Sequence, residues 1–183
     1  MKFTEQGALN KRLLINNFKN ADLLCATSNS IKEYINKVVE KPVKIIPFGV
    51  DCQYFFPSNE KKDDEIIVGC IKSLEAIYKL DLLINSFSNV LKLNSSIKLR
   101  LLIVGGGSQE ISLKKLCKEL GVDFRVTFTG KVAHSDVLKY YQQMDVFCNF
   151  SEYESFGVSI IEAMACALPV IATKTEGAKD IIV

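Results

Sequence analysis

The sequence predicts an α/β protein built on a doubly wound parallel sheet, and three observations carry that prediction. Short apolar runs alternate with segments whose apolar residues recur at helical spacing. The run Leu99–Val104 is almost continuously apolar, the pattern of a strand buried on both faces. Several runs end in loops rich in glycine or serine, where such a sheet presents its ligands.

Taken in order, Asp22–Ala26 reads as a short strand, Ser28 and Ser30 are capping candidates for a helix through Val39, and Val43–Ile46 reads as a second strand. From Pro47 to Asp64 the texture changes. Pro47, Gly49, Pro57, Ser58, Asn59 and the charge run Glu60–Glu65 have the composition of an inter-domain linker. The expected partition is therefore residues 1–46, a linker at 47–64, and a larger unit at 65–183. In that unit Ile66–Ile71 reads as a strand, and Lys79–Lys92 as a helix with Leu80, Ile84, Phe87 and Leu91 on one stripe. Leu99–Val104 follows, ended by Gly105–Gly107. Leu113, Leu116, Cys117 and Leu120 then mark a helix closed by Gly121. Arg125–Thr129 alternates as a strand, Ser135 is placed to cap a helix through Met144, and Asp145–Phe150 is a further strand. Gly157–Ala167 reads as a helix and Pro169–Thr173 as the last strand. Strands separated by helices in this way call for right-handed parallel crossovers.

Composition narrows the function classes. Of 183 residues 48% are hydrophobic and 24% charged, which is globular and not disordered. Lys and Arg number 23 against 21 acids and are spread along the chain, so no basic stripe invites nucleic acid. The six cysteines form no C-x-x-C pair and several sit in apolar runs, as reduced buried thiols of a cytosolic protein would. With a single histidine, His134, a Cys/His zinc site is not expected. Met1–Gln6 lacks a signal-peptide core, and no run approaches the ~20 apolar residues of a membrane span.

Three strand-end loops stand out: Gly105–Gly107, Gly130-Lys131-Val132 and Ser151–Gly157. The glycines do not make a dinucleotide fingerprint, which would need a third glycine where Glu110 stands and an acid about 20 residues on. Gly105 and Gly107 read either as a tight turn needing positive φ or as glycines that admit a ligand to the backbone. The segment around Glu162 says most. Its neighbours Val158, Ile160, Ile161, Ala163, Met164 and Ala165 are apolar, so the helix is expected to be buried all round. A carboxylate there must be paired or hydrogen-bonded. Either a structural Lys or Arg neutralises it, or it faces the strand-end cleft and accepts from vicinal hydroxyls such as those of a ribose. Glu154 sits in the preceding loop, within reach of further polar groups. Gly157 at the helix start leaves free N–H groups at the positive end of the helix dipole, which suits a diphosphate. His134, four residues after Gly130, reads first as a surface or capping residue. No candidate covalent nucleophile stands out.

Here the sequence resembles a known family. Glu154-x7-Glu162 within EYESFGVSIIEAMACALPVIAT is similar to the E-x7-E signature of the retaining glycosyltransferases of family four (glycosyl transferases group 1), which have the two-domain GT-B architecture. The resemblance extends over ADLLCATSNSIKEY, VKIIPFGVDCQYFFP, VGCIKSLEAIYKLDLLINSF, LLIVGGGSQE, VTFTGKVAHSDVLKYYQQMDVFCNFS and EGAKDII, in family order and spacing. It implies that residues 1–46 end an N-terminal acceptor domain and that residues 65–183 are a Rossmann-like, nucleotide-sugar donor-binding domain. Glu162 would hold the donor ribose and Glu154 hydroxyls of the transferred sugar. The backbone of Ser155, Phe156, Gly157 and Val158 would hold sugar and phosphate, and Lys131 and Val132 would line the base pocket. Lys72 is the best match to the lysine that clamps the diphosphate. The family often has Lys-Gly where this chain reads Tyr78-Lys79, so Lys79 either serves by a one-residue slip or is a solvated helix-start lysine. Glu176 stands where the family usually has the first of two glycines.

No D-x-D pair is present, which agrees with metal-independent GT-B chemistry, in which lysines and helix dipoles stabilise the leaving nucleoside diphosphate. The implied donor is a UDP-, GDP- or ADP-sugar, with no cofactor and no metal. The implied acceptor is a glycan or lipid-linked molecule held through an N-terminal domain mostly absent from this chain, as are the family's closing helices. Residues 1–183 alone are expected to bind a nucleotide or nucleotide sugar weakly and to transfer nothing, and to pack or self-associate through exposed strand edges before Pro47. The resemblance places the whole protein in the cytoplasm, with peripheral contact at the inner face of a membrane as a further implication. A noncatalytic nucleotide-sugar-binding module is the alternative reading.

Overall fold

A computed structural model describes residues 8–58, 64–94 and 96–182; residues 1–7, among them Met1–Gln6, residues 59–63 of the predicted linker, and residues 95 and 183 lie outside the described residues. The chain opens with α1 (Ala8–Asn20), which the sequence reading did not anticipate, followed by β1 (Leu24–Ala26), α2 (Asn29–Asn36) and β2 (Val43–Ile45). β1 and β2 pair in parallel, Leu24 opposite Val43. Ser28 caps α2, its Oγ accepting the Ile31 N–H at 3.3 Å. Leu24, Ala26, Ile35, Val39 and Val43 form a small core, against which Ile15 and Phe18 of α1 pack.

The larger unit contains β3 (Ile66–Ile71), α3 (Leu80–Leu93), β4 (Leu99–Val104), α4 (Glu110–Glu119), β5 (Val126–Phe128), α5 (Val137–Tyr141), β6 (Val146–Asn149), α6 (Val158–Ala165), β7 (Val170–Ala172) and α7 (Glu176–Lys179). Its strands are all parallel, in the order β5-β4-β3-β6-β7. The chain winds outward from β3 through β4 to β5, then returns to lay β6 on the other side of β3. The order therefore reverses between β3 and β6, and a crevice opens beyond their carboxyl ends.

Strand alternation builds the two layers. Leu99, Leu101 and Ile103 of β4 point to one face, where Leu80, Leu83, Ile84 and Phe87 of α3 and Leu113 and Cys117 of α4 cover them. Leu102 and Val104 point to the other face, with Tyr141 of α5, Phe147 of β6, and Ile160 and Ala163 of α6. Phe55, from the predicted linker, is 4% exposed and belongs to this second layer. α4 is closed by Gly121 at φ 69°, as the sequence predicts.

Three local expectations need correction. Ser135 does not cap a helix: a 3-10 turn at His134–Asp136 comes first, and α5 begins at Val137 with no side-chain cap. The Ser135 carbonyl instead accepts the Tyr54 hydroxyl at 2.7 Å. α6 is not buried all round, because Val158 and Met164 are 39% and 47% exposed and only the face carrying Ile160, Glu162 and Ala163 is inside. Lys79 and Gly157 are N-caps in the left-handed region, not first helical residues.

Candidate functional site

The loop after β3 and the loop after β6 meet at the crevice. Lys72, one residue past β3, forms an ion pair with Glu154, both side chains being largely buried at 14% and 13% exposure. The ammonium also lies 4.8 Å from the centre of the Tyr78 ring. Below the pair, Asn149 at the end of β6 donates from Nδ2 to Glu154 Oε2 at 3.3 Å, while its Oδ1 accepts the Ser151 hydroxyl at 2.6 Å. Ser151's carbonyl in turn accepts the Thr173 hydroxyl at 2.6 Å. The strand ends thus hold the Glu154 loop through a buried polar chain.

Glycine geometry lets the crevice form. Gly105 has φ 135°, and a β-carbon there would stand 1.9 Å from the Lys72 carbonyl oxygen, so only glycine allows the ends of β3 and β4 to close up. Glu75 straps the same loop, accepting from the Ser108 N–H at 3.0 Å and the Ser108 hydroxyl at 2.5 Å. These bonds hold the Glu75 carboxyl below its ordinary value.

Beyond Lys72 a hollow of about 690 Å³ opens, lined by Gly105 and Gly107, by Lys131 and Val132, and by His134. That volume is in the range of small-molecule sites. Glu162 lies beside it and is 7% exposed. Its Oε2 accepts the Tyr141 hydroxyl at 2.8 Å, and its Oε1 pairs with His134 Nε2 at 3.2 Å. Among the described residues its partners are a phenol and an imidazole, neither a lysine nor an arginine. Burial first, and then the adjacent Glu162 charge, push the Tyr141 phenol far up, so it stays a protonated donor. His134 is 75% exposed at its side chain, so the partner of Oε1 is a solvent-facing ring.

The structure therefore brings Lys72 and Glu154 together, and gathers Gly105, Gly107, Lys131, Val132 and His134 around one hollow next to Glu162. Ser155, Phe156, Gly157 and Val158 form the turn from the Glu154 loop into α6. Gly157, at φ 99°, makes that turn, and Phe156 is buried edge-on against Phe48 at 5.4 Å. Lys79 is placed elsewhere: its amine pairs with Glu152 at 3.0 Å, and it lines a separate hollow of about 380 Å³ beside α3 and α4. Its φ of 48° belongs to the left-handed region, which explains on backbone grounds why a glycine is natural there. Glu176 is exposed and pairs with Lys179 at 2.5 Å. Tyr141, Asn149 and Tyr78 escaped the sequence reading; each reads locally as an ordinary core or strand-end residue. Among the described residues, no group of three or more His, Cys, Asp or Glu is placed to hold a metal ion, and no helix is long and apolar enough to cross a membrane.

The profile of the family Glycosyl transferases group 1 matches residues 53–183. The chain belongs to this family. Mannosylfructose-phosphate synthase of Agrobacterium fabrum is 29% identical over 94% of this chain, which spans 42% of that relative. Among solved structures, a sucrose-phosphate synthase from Thermosynechococcus elongatus superposes with TM-score 0.87 at 25% identity, over 100% of this chain and 48% of that one. Anabaena HepE in complex with UDP superposes with TM-score 0.85 at 22% identity, over 98% of this chain and 52% of that one, a likeness of fold. The group 1 chain thus spans about half or less of each of these proteins, and its parallel five-stranded sheet is the Rossmann-like half of a GT-B architecture.

Proposed function

We propose that this chain is the donor-binding part of a glycosyltransferase that moves a sugar, with retention, from a nucleoside-diphosphate sugar to a glycan or lipid-linked acceptor. The observation that carries the reading is Glu162, a buried carboxylate with no lysine or arginine partner among the described residues, whose Oε1 pairs with His134, a residue lining the hollow that Lys72 and Lys131 share. A ribose offers two vicinal hydroxyls to such a carboxylate. The base then lies along Val132 and the backbone of the Gly130–Lys131 turn, and the diphosphate reaches toward Lys72 and the first N–H groups of α6.

Lys72 and Glu154 neutralise each other in the site. Donor entry exchanges partners: the diphosphate takes the Lys72 ammonium, and a hydroxyl of the sugar takes the Glu154 carboxylate, which Asn149 keeps in place. As the bond from the sugar's anomeric carbon to the diphosphate breaks, negative charge grows on the leaving group. Lys72 and the α6 dipole stabilise it there, without a metal ion. The acceptor hydroxyl, held by an N-terminal domain, attacks the same sugar face and gives its proton to the departing diphosphate as the new glycosidic bond forms. That HepE, which shares this fold, is in complex with UDP supports the donor class.

Ligand-observed NMR of residues 1–183 with UDP-, GDP- and ADP-glucose tests the reading, with Lys72→Met as comparator. Saturable binding of at least one sugar nucleotide, weakened about tenfold or more by Lys72→Met, is expected. A well-folded chain that binds none of the three refutes it. A noncatalytic nucleotide-sugar-binding module is favoured by one observation, the attachment of Lys79 to Glu152 away from the hollow. Donor hydrolysis or transfer by a chain carrying its N-terminal domain excludes that alternative.

A further inference from the structure

Both hydrogen-bonding partners of Glu162 rest on the same aromatic ring, and that ring belongs to the segment entering the sheet domain. Phe55 packs edge-on against Tyr141, with centroids 5.8 Å apart, and against His134 at 6.1 Å. Next to it, the Tyr54 hydroxyl donates to the Ser135 carbonyl at 2.7 Å, inside the 3-10 turn that carries His134. The segment is itself preformed. Asp51 Oδ1 accepts the Gln53 N–H at 2.8 Å and the Tyr54 N–H at 3.3 Å, and the Phe55 N–H reaches the Asp51 carbonyl at 2.8 Å. Further along, Gln142 beyond α5 donates to the Phe56 carbonyl at 3.2 Å. Upstream, Phe48 leans on Phe156 in the Glu154 loop.

We infer that Tyr54 and Phe55 are positioning residues for Glu162: a latch by which the entering chain sets the placement of the donor-site carboxylate through the His134 turn and Tyr141. This rests on the donor-site reading above and extends it to the segment that joins the two units. The physical reason is the geometry of support. Tyr141 is fully buried and packed against Phe55, whereas His134 is mostly exposed and is held by its turn, by the Phe55 edge and by Glu162 itself. When Tyr54 and Phe55 are seated, both carboxylate oxygens have fixed partners and the ribose meets an oriented acceptor. When the segment is pulled or rotated, the His134 turn moves first and the Oε1 side loses its definition. Displacement of the N-terminal unit is thereby transmitted to donor affinity.

The test is a double-mutant cycle on residues 1–183, using whichever of UDP-, GDP- and ADP-glucose binds tightest. Tyr54→Phe removes one hydroxyl and leaves the core ring of Phe55 untouched, so the fold is kept. It is expected to weaken binding about three- to tenfold, the effect of one lost hydrogen bond. In a Glu162→Ala background the same change is expected to have no effect, because the carboxylate it positions is gone. The single histidine supplies a second readout, since its imidazole NMR signals report the turn directly. They are expected to shift in Tyr54→Phe without ligand. An equal loss in both backgrounds, or a wild-type affinity in Tyr54→Phe, overturns the latch. If Glu162→Ala alone leaves affinity unchanged, the donor-site reading fails, and the latch with it.

Discussion

Replacing Tyr141 by Phe removes one oxygen atom and leaves the packing in place, because Phe55 and Phe147 hold the ring on both sides at 5.8 and 5.6 Å. What is lost, together with the hydroxyl's longer 3.2 Å approach to the Ser159 carbonyl, is its 2.8 Å donation to Glu162 Oε2. That oxygen sits on a side chain 9% exposed, so water has little access to replace the donor, and His134 is engaged with the other oxygen. Hydrogen bonds to charged groups contribute about 1.5–3 kcal/mol, and an orphaned buried acceptor incurs its full desolvation penalty. Taking about 2 kcal/mol, and about 2–4 °C per kcal/mol for a chain of this size, Tyr141→Phe lowers the thermal midpoint by about 4–8 °C. Differential scanning calorimetry at neutral pH measures it, with urea unfolding as a check that the transition stays cooperative. A shift under about 1 °C would show that Glu162 does not depend on this phenol and refute the reasoning.

Two further perturbations test the crevice. Lys79→Gly relieves a left-handed backbone at φ 48° and forfeits only an exposed pair with Glu152, so the strain released exceeds the added unfolded-state entropy of glycine. The thermal midpoint is expected to rise by about 2 °C, and a fall would contradict that account. Ser108 holds the Glu75 carboxyl below its ordinary value, chiefly through its hydroxyl and then its N–H. The stabilisation is therefore whole above the ordinary carboxylate range and is lost as pH falls through the lowered value. Ser108→Ala is expected to flatten the acid side of the stability profile while leaving its shape near neutrality, and an unchanged acid side would count against the strap.

Much of the sheet was legible because burial on both faces leaves a plain pattern. Ile66–Ile71 and Leu99–Val104 are strands to the residue, since each supplies apolar side chains to both layers at once. α1 was missed because its apolar residues, among them Leu13, Leu14 and Ile15, are adjacent in sequence and share no long stripe; Leu13 is 54% exposed. The helix predicted from Ser135 starts later because the turn before it answers to a distant tyrosine, Tyr54, and not to a local cap. The candidate site divides the same way. Glu162 could be singled out from its apolar neighbours, Glu154 from the loop before it and the family resemblance, and Gly105 from its place after β4. The pairings could not: Lys72, named from the family resemblance, lies 82 residues from Glu154, and Tyr141 and His134 lie 21 and 28 residues from Glu162. Nothing local marks Tyr141 as anything but a core aromatic, because the carboxylate that makes it a donor arrives only when α6 packs on α5.

The central claim, that Glu162 holds the ribose of a sugar nucleotide, is tested most directly by binding of the preferred nucleotide and its 2′,3′-dideoxy analogue to wild-type protein and to Glu162→Ala. The account predicts that the wild type loses about tenfold or more for the dideoxy compound, while Glu162→Ala binds both equally and weakly. A wild-type chain that binds the two alike, or a Glu162→Ala chain that still tells them apart, would contradict it.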